Sequence, residues 1–224
     1  MLPLEAADAL IHTRETIVNV AAKYSLRATF APHVSPGRAG NGAHCHISIH
    51  STTSADKSNG LTTQESSFLA SVLDHIPSLM ALTSPIPASY KRVGDNLWSG
   101  GTYVCWGTEN REAPIRLTNA SSPASHNLEM RFLDATCNPY LALAGIIAVG
   151  ANGIRTNAEL KVTDCTGPLS AAQLSEEARQ RLGITRRVSL SWSEARKNFR
   201  EDEMMEDIFG KNFVEKYLTV NKVG

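Results

Sequence analysis

The stretch at residues 37–50, GRAGNGAHCHISIH, decides how the chain around it must fold. A Gly-rich turn leads into strict alternation, with His44, His46, Ser48 and His50 against Cys45, Ile47 and Ile49. In a strand, residues two apart share a face and lie roughly 7 Å from each other. Three imidazoles and a hydroxyl therefore line one surface, and an apolar ridge is buried on the other. Such a surface is either a site for a metal or a phosphorylated ligand, or a half-exposed polar face without a ligand.

Composition excludes several classes of protein. The chain has 224 residues, enough for one sizeable core, and its 22 basic residues balance 22 acidic ones. Nothing marks it as a binder of nucleic acid or membrane surfaces. The longest apolar run, at residues 141–149, is too short to span a bilayer, and polar residues near the start argue against a signal peptide. Four scattered cysteines without a CxxC pair favour a reduced, cytosolic setting.

Periodicity predicts helices over residues 4–23, 64–83 and from 139 to about 151, and another that opens at a capping box formed by Ser191 and Glu194. In the first helix the inward stripe would comprise Ala7, Leu10, Ile11, Ile17, Val18 and Ala21. Pro77 is expected to kink or divide the second. Strands are predicted over 25–31, 44–50 and 127–134, and at the end of 103–117. The pattern is one domain in which strands with one polar face alternate with amphipathic helices.

A second alternating segment supplies charge. Glu129 and Arg131 fall on one face of residues 127–134, and Arg92, Arg111 and Arg116 stand beside strand ends or loops. Arginines outnumber carboxylates four to one among these residues, which predicts a site for an anionic ligand. A His and a Glu on neighbouring strands could share Mg²⁺ or Mn²⁺. A phosphate, a metal ion and arginines together are the recurring components of phosphoryl-transfer sites. The sequence contains no Walker A motif. The alternative is that the arginines merely pair with surface acids.

Several blocks of sequence carry a family resemblance. GNGAHCHISIH, SYKR, NREAPIRL and EMRFLDATCNPYLALAGI together resemble the catalytic domain of glutamine synthetase, in the family's order, over residues 3 to about 220. TENREAP is most similar to the fungal glutamine-synthetase-like branch, in which this domain can be fused to an amidohydrolase. The resemblance implies an α+β fold, a curved antiparallel sheet that forms part of the family's half-barrel and is backed by helices.

The resemblance also implies an activity. The family consists of cytoplasmic ligases of glutamine biosynthesis and nitrogen metabolism, which join the γ-carboxylate of glutamate to ammonia. They use ATP and two Mg²⁺ or Mn²⁺ ions, and the reaction passes through a γ-glutamyl phosphate. A neighbouring subunit closes each active site, so a homo-oligomer is expected.

Site roles follow from the resemblance position by position. His44 and Glu129 match ligands of one metal ion. His46 and Ser48 match positions that contact ATP. The glutamate site corresponds to Gly40, Arg92 and Arg131. Arg111 and Arg116 match the catalytic arginines that clamp the nucleotide phosphates and the developing phosphoryl charge.

Four positions depart from the family pattern. Trp98 stands where the family has an acidic flap residue six positions after the arginine that matches Arg92. Because Trp cannot take a proton from ammonium, this change favours a larger or more apolar amine, such as a polyamine or an aromatic amine. Asn127 replaces an arginine, Ala39 an asparagine and His50 a tryptophan. Each of these changes weakens ATP or glutamate binding as the family performs it.

The resemblance further implies that residues 1–224 form one partial catalytic domain without the family's small N-terminal domain, and cut short at the C-terminus. The absent segments carry most of the family's metal-binding carboxylates. His44 and Glu129 would then be two ligands where octahedral geometry asks for six. We therefore expect the isolated chain to be inactive or very weak as an enzyme. The alternative is an inactive fragment or pseudoenzyme that acts as a binding protein.

Overall fold

The computed structural model describes residues 1–35, 40–50, 57–58, 60–95, 100–122 and 125–222. The helices are α1 (Pro3–Lys23), α2 (Thr63–Thr83), α3 (Pro139–Thr156), α4 (Glu176–Arg181), α5 (Trp192–Glu201), α6 (Glu203–Phe209) and α7 (Lys211–Val220), with a 3₁₀ helix at Pro87–Arg92. The strands are β1 (Cys45–Ile47), β2 (Lys57–Ser58), β3 (Leu61–Thr62), β4 (Trp106–Thr108), β5 (Ile115–Thr118) and β6 (Asn127–Met130). Gly37, Ala39 and Trp98, which the sequence analysis singled out, lie outside the described residues.

Four strands form the principal sheet, in the order β1-β6-β5-β4. β6 pairs antiparallel with both β1 and β5, whereas β4 and β5 run parallel. The α+β class is thus confirmed, but the sheet is mixed rather than wholly antiparallel. Ile115 pairs in register with Trp106, so residues 109–114 return the chain to the start of β4 and β5 runs in the same direction as β4.

The apolar face of the sheet packs on the helices. Ile115, Leu117, Leu128 and Met130 are buried in one core with Trp106 and with residues of α2 and α3. α2 packs most extensively against α3, and also against α5. The close approach of α2 and α3 depends on small residues: a Cβ on Gly150 would lie 2.1 Å from the Phe68 ring. This helical layer fixes the sheet's core face, so the opposite face remains for polar groups.

Local signals placed several helices correctly. Asn138 caps α3 by accepting hydrogen bonds from the backbone N–H groups of Tyr140 and Leu141. Ser191 caps α5 by accepting from Glu194 N. α3 runs five residues further than the predicted end near residue 151, to Thr156. Pro77 does not divide α2, which is a single element.

Two sequence-based predictions were wrong. Residues 25–31 form no strand, because nothing in the described chain pairs with them, and Ser25 adopts a left-handed φ of 57° that ends α1. The expected inward stripe of α1 is largely exposed: only Ala7 is buried, while Ile11, Ile17 and Val18 face outward. α1 packs on α3 alone among the major elements, which leaves most of its circumference uncovered. Among the described residues, no helix is long and apolar enough to cross a membrane.

Candidate active site

A row of polar side chains crosses the exposed face of the sheet. His46 of β1 pairs in register with Glu129 of β6, and Glu129 pairs with Arg116 of β5. Their neighbours along each strand point into the core, because side chains alternate across a pleated strand. The alternation predicted at residues 44–50 is present, with even-numbered residues more exposed than odd-numbered ones, although the regular strand covers only Cys45–Ile47. The predicted imidazole surface and the predicted Glu–Arg face are therefore one surface.

The Glu129 carboxylate is the centre of this surface. It is 3% exposed, and its Oε1 lies 2.6 Å from Arg131 Nη1 and 2.9 Å from His44 Nδ1. Its Oε2 lies 2.6 Å from Arg116 Nε, and His46 Nε2 stands 4.0 Å from Oε1. A buried carboxylate needs compensating charge, and two guanidinium groups supply it.

His44 immediately precedes β1 and turns its ring toward Glu129. Burial lowers the pKa of His44 to about 4, the positive charge of Arg131 acts in the same direction, and Glu129 opposes the shift. The ring is therefore neutral near pH 7, which is the state that binds a metal ion. Nδ1 is the ring nitrogen that faces the carboxylate, and it also lies 3.3 Å from Arg131 Nη1. His44 and Glu129 therefore face each other through Nδ1 and Oε1.

One further arginine, Arg92, lies at the edge of the face beside Arg131. Arg92 is fully buried at the end of the 3₁₀ helix, and its Nη2 donates to Arg131 O at 3.2 Å. Burial lowers the pKa of Arg92, and that of Arg131 as well. Glycines make room for them: a Cβ on Gly42 would lie 2.9 Å from Arg92 Nη2, and one on Gly40 would lie 2.6 Å from Arg92 Cβ. The lack of a side chain on Gly40 therefore lets its backbone approach Arg92 closely.

The remaining predicted residues lie at the margin. Arg111 is exposed in the turn before β5, and its charge contributes to lowering the Arg131 pKa. Ser48, beyond the end of β1, is exposed, and its Oγ lies 3.2 Å from His50 Nε2. The structure thus brings His44, His46, Glu129, Arg116 and Arg131 together, places Gly40, Arg92 and Arg111 beside them, and leaves Ser48 apart from the Glu129 contacts.

One buried charge was missed by the sequence analysis. Asp134 is fully buried, and its Oδ1 accepts hydrogen bonds from the N and Oγ1 of Thr136. Its negative charge favours the protonated form of Arg92, opposing the effect of burial on that pKa. The signal was present, since Asp134 belongs to the EMRFLDATCNPY block. Strict alternation over residues 127–134 assigns Asp134 to the apolar face with Met130 and Phe132, so the pattern does not mark it as a site residue.

The side chains around Glu129 offer part of the ligand set of a divalent metal ion. His44 offers nitrogen and Glu129 offers oxygen, a combination compatible with Mn²⁺ or Mg²⁺. Within the described residues there is no group of three or more His, Cys, Asp or Glu side chains suited to hold a metal. Both oxygens of Glu129 also lie within 2.6 Å of an arginine nitrogen. The residues fit part of a metal site and require further ligands.

Comparison with known proteins shows what this chain is similar to. A family model described as "Glutamine synthetase, catalytic domain" matches residues 2–223. The chain is 39% identical to the protein fluG of Emericella nidulans over 98% of its own length and 24% of that protein. It is 36% identical to the gamma-glutamylpolyamine synthetase GlnA3 of Streptomyces coelicolor, over 97% of the chain and 47% of that protein.

The fold is shared with solved structures. A Plasmodium falciparum glutamine synthetase superposes with a TM-score of 0.80 at 22% identity, covering 98% of this chain and 50% of that one. A structure described as a novel glutamine synthase homolog superposes with a TM-score of 0.77 at 31% identity, over 96% of this chain and 48% of the other. The chain therefore spans about half the length, or less, of the relatives and structures named here.

Proposed function

The chain belongs to the glutamine synthetase family, and on this premise we propose that its polar sheet face serves an ATP-dependent ligase. The reaction would join the γ-carboxylate of glutamate to ammonia or an amine through an acyl phosphate. The observation that carries the proposal is the row His46–Glu129–Arg116 on one face of the sheet, with Arg131 and His44 in contact with the same carboxylate. This arrangement combines candidate metal ligands with anion-binding groups on adjacent strands.

The arginines divide into two groups by position. Arg116 and Arg111, on β5 and in the turn before it, would hold the nucleotide phosphates and compensate the negative charge that develops on the transferred phosphoryl group. Arg92 and Arg131 are buried and rigid, and they would hold the carboxylates of glutamate beside Gly40. A planar guanidinium suits both tasks, because it donates two parallel hydrogen bonds to a carboxylate or a phosphate.

A metal ion would be held by His44 and Glu129, with further ligands from outside the described residues. When bound, the ion would neutralise phosphate charge between nucleotide and acceptor. Arg131 and Arg116 lie against Glu129, so its negative charge is compensated without a metal ion. His46 and Ser48, at the open edge of the sheet, would contact the nucleotide.

A specific observation favours an amine rather than ammonia as acceptor. Trp98 replaces an acidic flap residue of the family, so the base that would deprotonate ammonium is replaced by an apolar ring. One relative carries the name gamma-glutamylpolyamine synthetase. We propose a polyamine or aromatic amine as the acceptor. ADP release by the full-length protein should be faster with such an amine than with ammonia, and Trp98→Glu should shift the preference toward ammonia. Activity with ammonia alone would contradict this assignment.

The first test of the ligase proposal is isothermal titration of the chain with MgATP. We expect micromolar binding that His44→Ala and Arg116→Gln each weaken. His12→Ala is the matched control, because His12 is exposed on α1, away from the polar face. The absence of binding heat would overturn the proposal for this chain and favour the alternative, an inactive interaction protein. In the family context we also propose that the protein is cytoplasmic and assembles as a homo-oligomer.

A further inference from the structure

The turn that carries Arg111 is fastened by the side chain of the residue before it. Asn110 is 8% exposed, and both the nitrogen and the oxygen of its side-chain amide form hydrogen bonds. Nδ2 donates to the carbonyl oxygen of Cys165 at 2.6 Å, while Oδ1 accepts from the backbone N of Glu112 at 2.9 Å. The first hydrogen bond links the turn that carries Arg111 to Cys165, far along the chain. The second joins Asn110 to Glu112, the residues on either side of Arg111.

The distant segment is itself held firmly against β4. Cys165 N donates to Trp106 O at 3.0 Å, and Trp106 Nε1 donates to Val162 O at 2.8 Å. Asp164 accepts from the backbone N of Thr108 at 2.8 Å. The Cys165 carbonyl is therefore a fixed point, joined to the strand before the turn by three hydrogen bonds that do not involve Asn110. Residues 162–165 also cover the outer edge of the sheet.

Arg111 needs such a restraint because its side chain is exposed. An exposed side chain on an unrestrained turn samples many positions in water, so a fixed turn narrows the positions that its guanidinium can occupy. The backbone supplies a second restraint, since Glu109 holds a left-handed φ of 53° and donates its N–H to Leu117 O. Asn110 adds the long-range restraint that the local turn lacks.

We infer that Asn110 is a positioning residue: it acts through Arg111, holding that arginine where it meets the phosphates of the nucleotide. The inference rests on the proposed function and adds a determinant of nucleotide affinity that lies behind the polar face rather than on it. Removal of the amide should loosen the turn and weaken MgATP binding even though Asn110 itself touches no ligand.

A double-mutant cycle tests this in the intact chain. MgATP affinity is measured by titration for the wild type, Asn110→Ala, Arg111→Ala and the double variant. We expect Asn110→Ala to weaken binding roughly three- to tenfold. The double variant should bind no more weakly than Arg111→Ala alone, because a residue that acts through Arg111 has nothing left to position. A purely structural role would instead lower affinity by the same factor in both backgrounds.

Two further variants keep the test decisive. Asn110→Asp preserves shape and the Oδ1 acceptor but sets an oxygen against the Cys165 carbonyl, so it should reproduce the loss. Asn198→Ala is the matched control: Asn198 in α5 donates to Ser189 Oγ at 2.8 Å and should leave affinity unchanged. Hydrogen exchange of the Glu112 amide must rise in Asn110→Ala, which removes the acceptor of that amide. If Asn110→Ala does not fold, the cycle is run with Asn110→Asp.

The outcomes separate the two claims. Additive losses, or unchanged exchange at Glu112, overturn the positioning role while the ligase proposal stands. A wild-type chain that binds no MgATP overturns the ligase proposal, and the positioning role falls with it.

Discussion

Replacing Glu129 by Gln should expose the electrostatic organisation of the polar face. The substitution keeps the size of the side chain but removes a negative charge that lies 2.6 Å from both Arg116 and Arg131. The carboxylate is 3% exposed, so water cannot take its place without a structural change. The expected result is a lower free energy of unfolding, because two guanidinium charges lose their closest counter-charge in a site largely shielded from solvent.

The magnitude follows from the distances. At an effective dielectric constant of about 20, two unit charges 2.6 Å apart attract by about 6 kcal/mol before desolvation. Desolvation of the ions offsets much of this, and removal of one partner of a buried pair typically costs about 3–5 kcal/mol. Arg116 retains some exposure, which places the loss at the lower end. We therefore predict a loss of about 3 kcal/mol, or a melting temperature lower by about 6–12 °C for a chain of this size.

The assay is urea unfolding at pH 7 followed by far-ultraviolet circular dichroism. Asp74→Asn is the matched control, since Asp74 Oδ1 also lies 2.7 Å from an arginine, Arg186 Nη2, but both side chains are at least half exposed. Such a pair is worth about 0–1 kcal/mol. If Glu129→Gln costs no more than Asp74→Asn, then the carboxylate does not stabilise the arginines, and the face is a solvated surface of independent charges.

Three further perturbations test the core and its polar contacts. Burial acts to raise the pKa of Asp202, but hydrogen bonds, led by that from His75 at 2.7 Å, outweigh it and hold the pKa below 3.8. The stability that this carboxylate contributes is therefore fully present above about pH 4 and is lost as the pH falls through the folded-state pKa. In Asp202→Asn, the urea midpoint should therefore fall less between about pH 5 and pH 3 than it does in the wild type. Trp106→Phe removes the donor to Val162 O and some buried volume, and should cost about 1–2 kcal/mol in urea unfolding. Phe199→Ala removes a fully buried ring that contacts Phe209 and Tyr217, and should cost about 3–5 kcal/mol by calorimetry.

A specific result would contradict each of these three predictions. An unchanged acid slope in Asp202→Asn would mean that another carboxylate carries the pH dependence. A Trp106→Phe variant as stable as the wild type would show that the indole hydrogen bond adds nothing. A loss below about 1 kcal/mol for Phe199→Ala would mean that the helices around it collapse into the space.

Much of the candidate site could be predicted because its pattern is local. Alternation at residues 44–50 and 127–134 assigns each side chain to a face whatever the strand pairs with. The pairing of His46 with Glu129 then follows once the two strands are neighbours. Family motifs supplied the roles, which remain predictions until binding is measured. The contribution of Asn110 could not be anticipated, since its partner Cys165 is 55 residues away.

Local sequence accounts for the helices of the core, the Asn138 cap and the two-faced strands, because periodicity and capping act over a few residues. Tertiary contacts set the parallel pairing of β4 with β5, the absence of a strand at residues 25–31 and the exposure of most of the α1 stripe. A strand exists only with a partner, and an apolar stripe is buried only if something covers it. Both conditions depend on segments far away in the chain, and no local pattern records them.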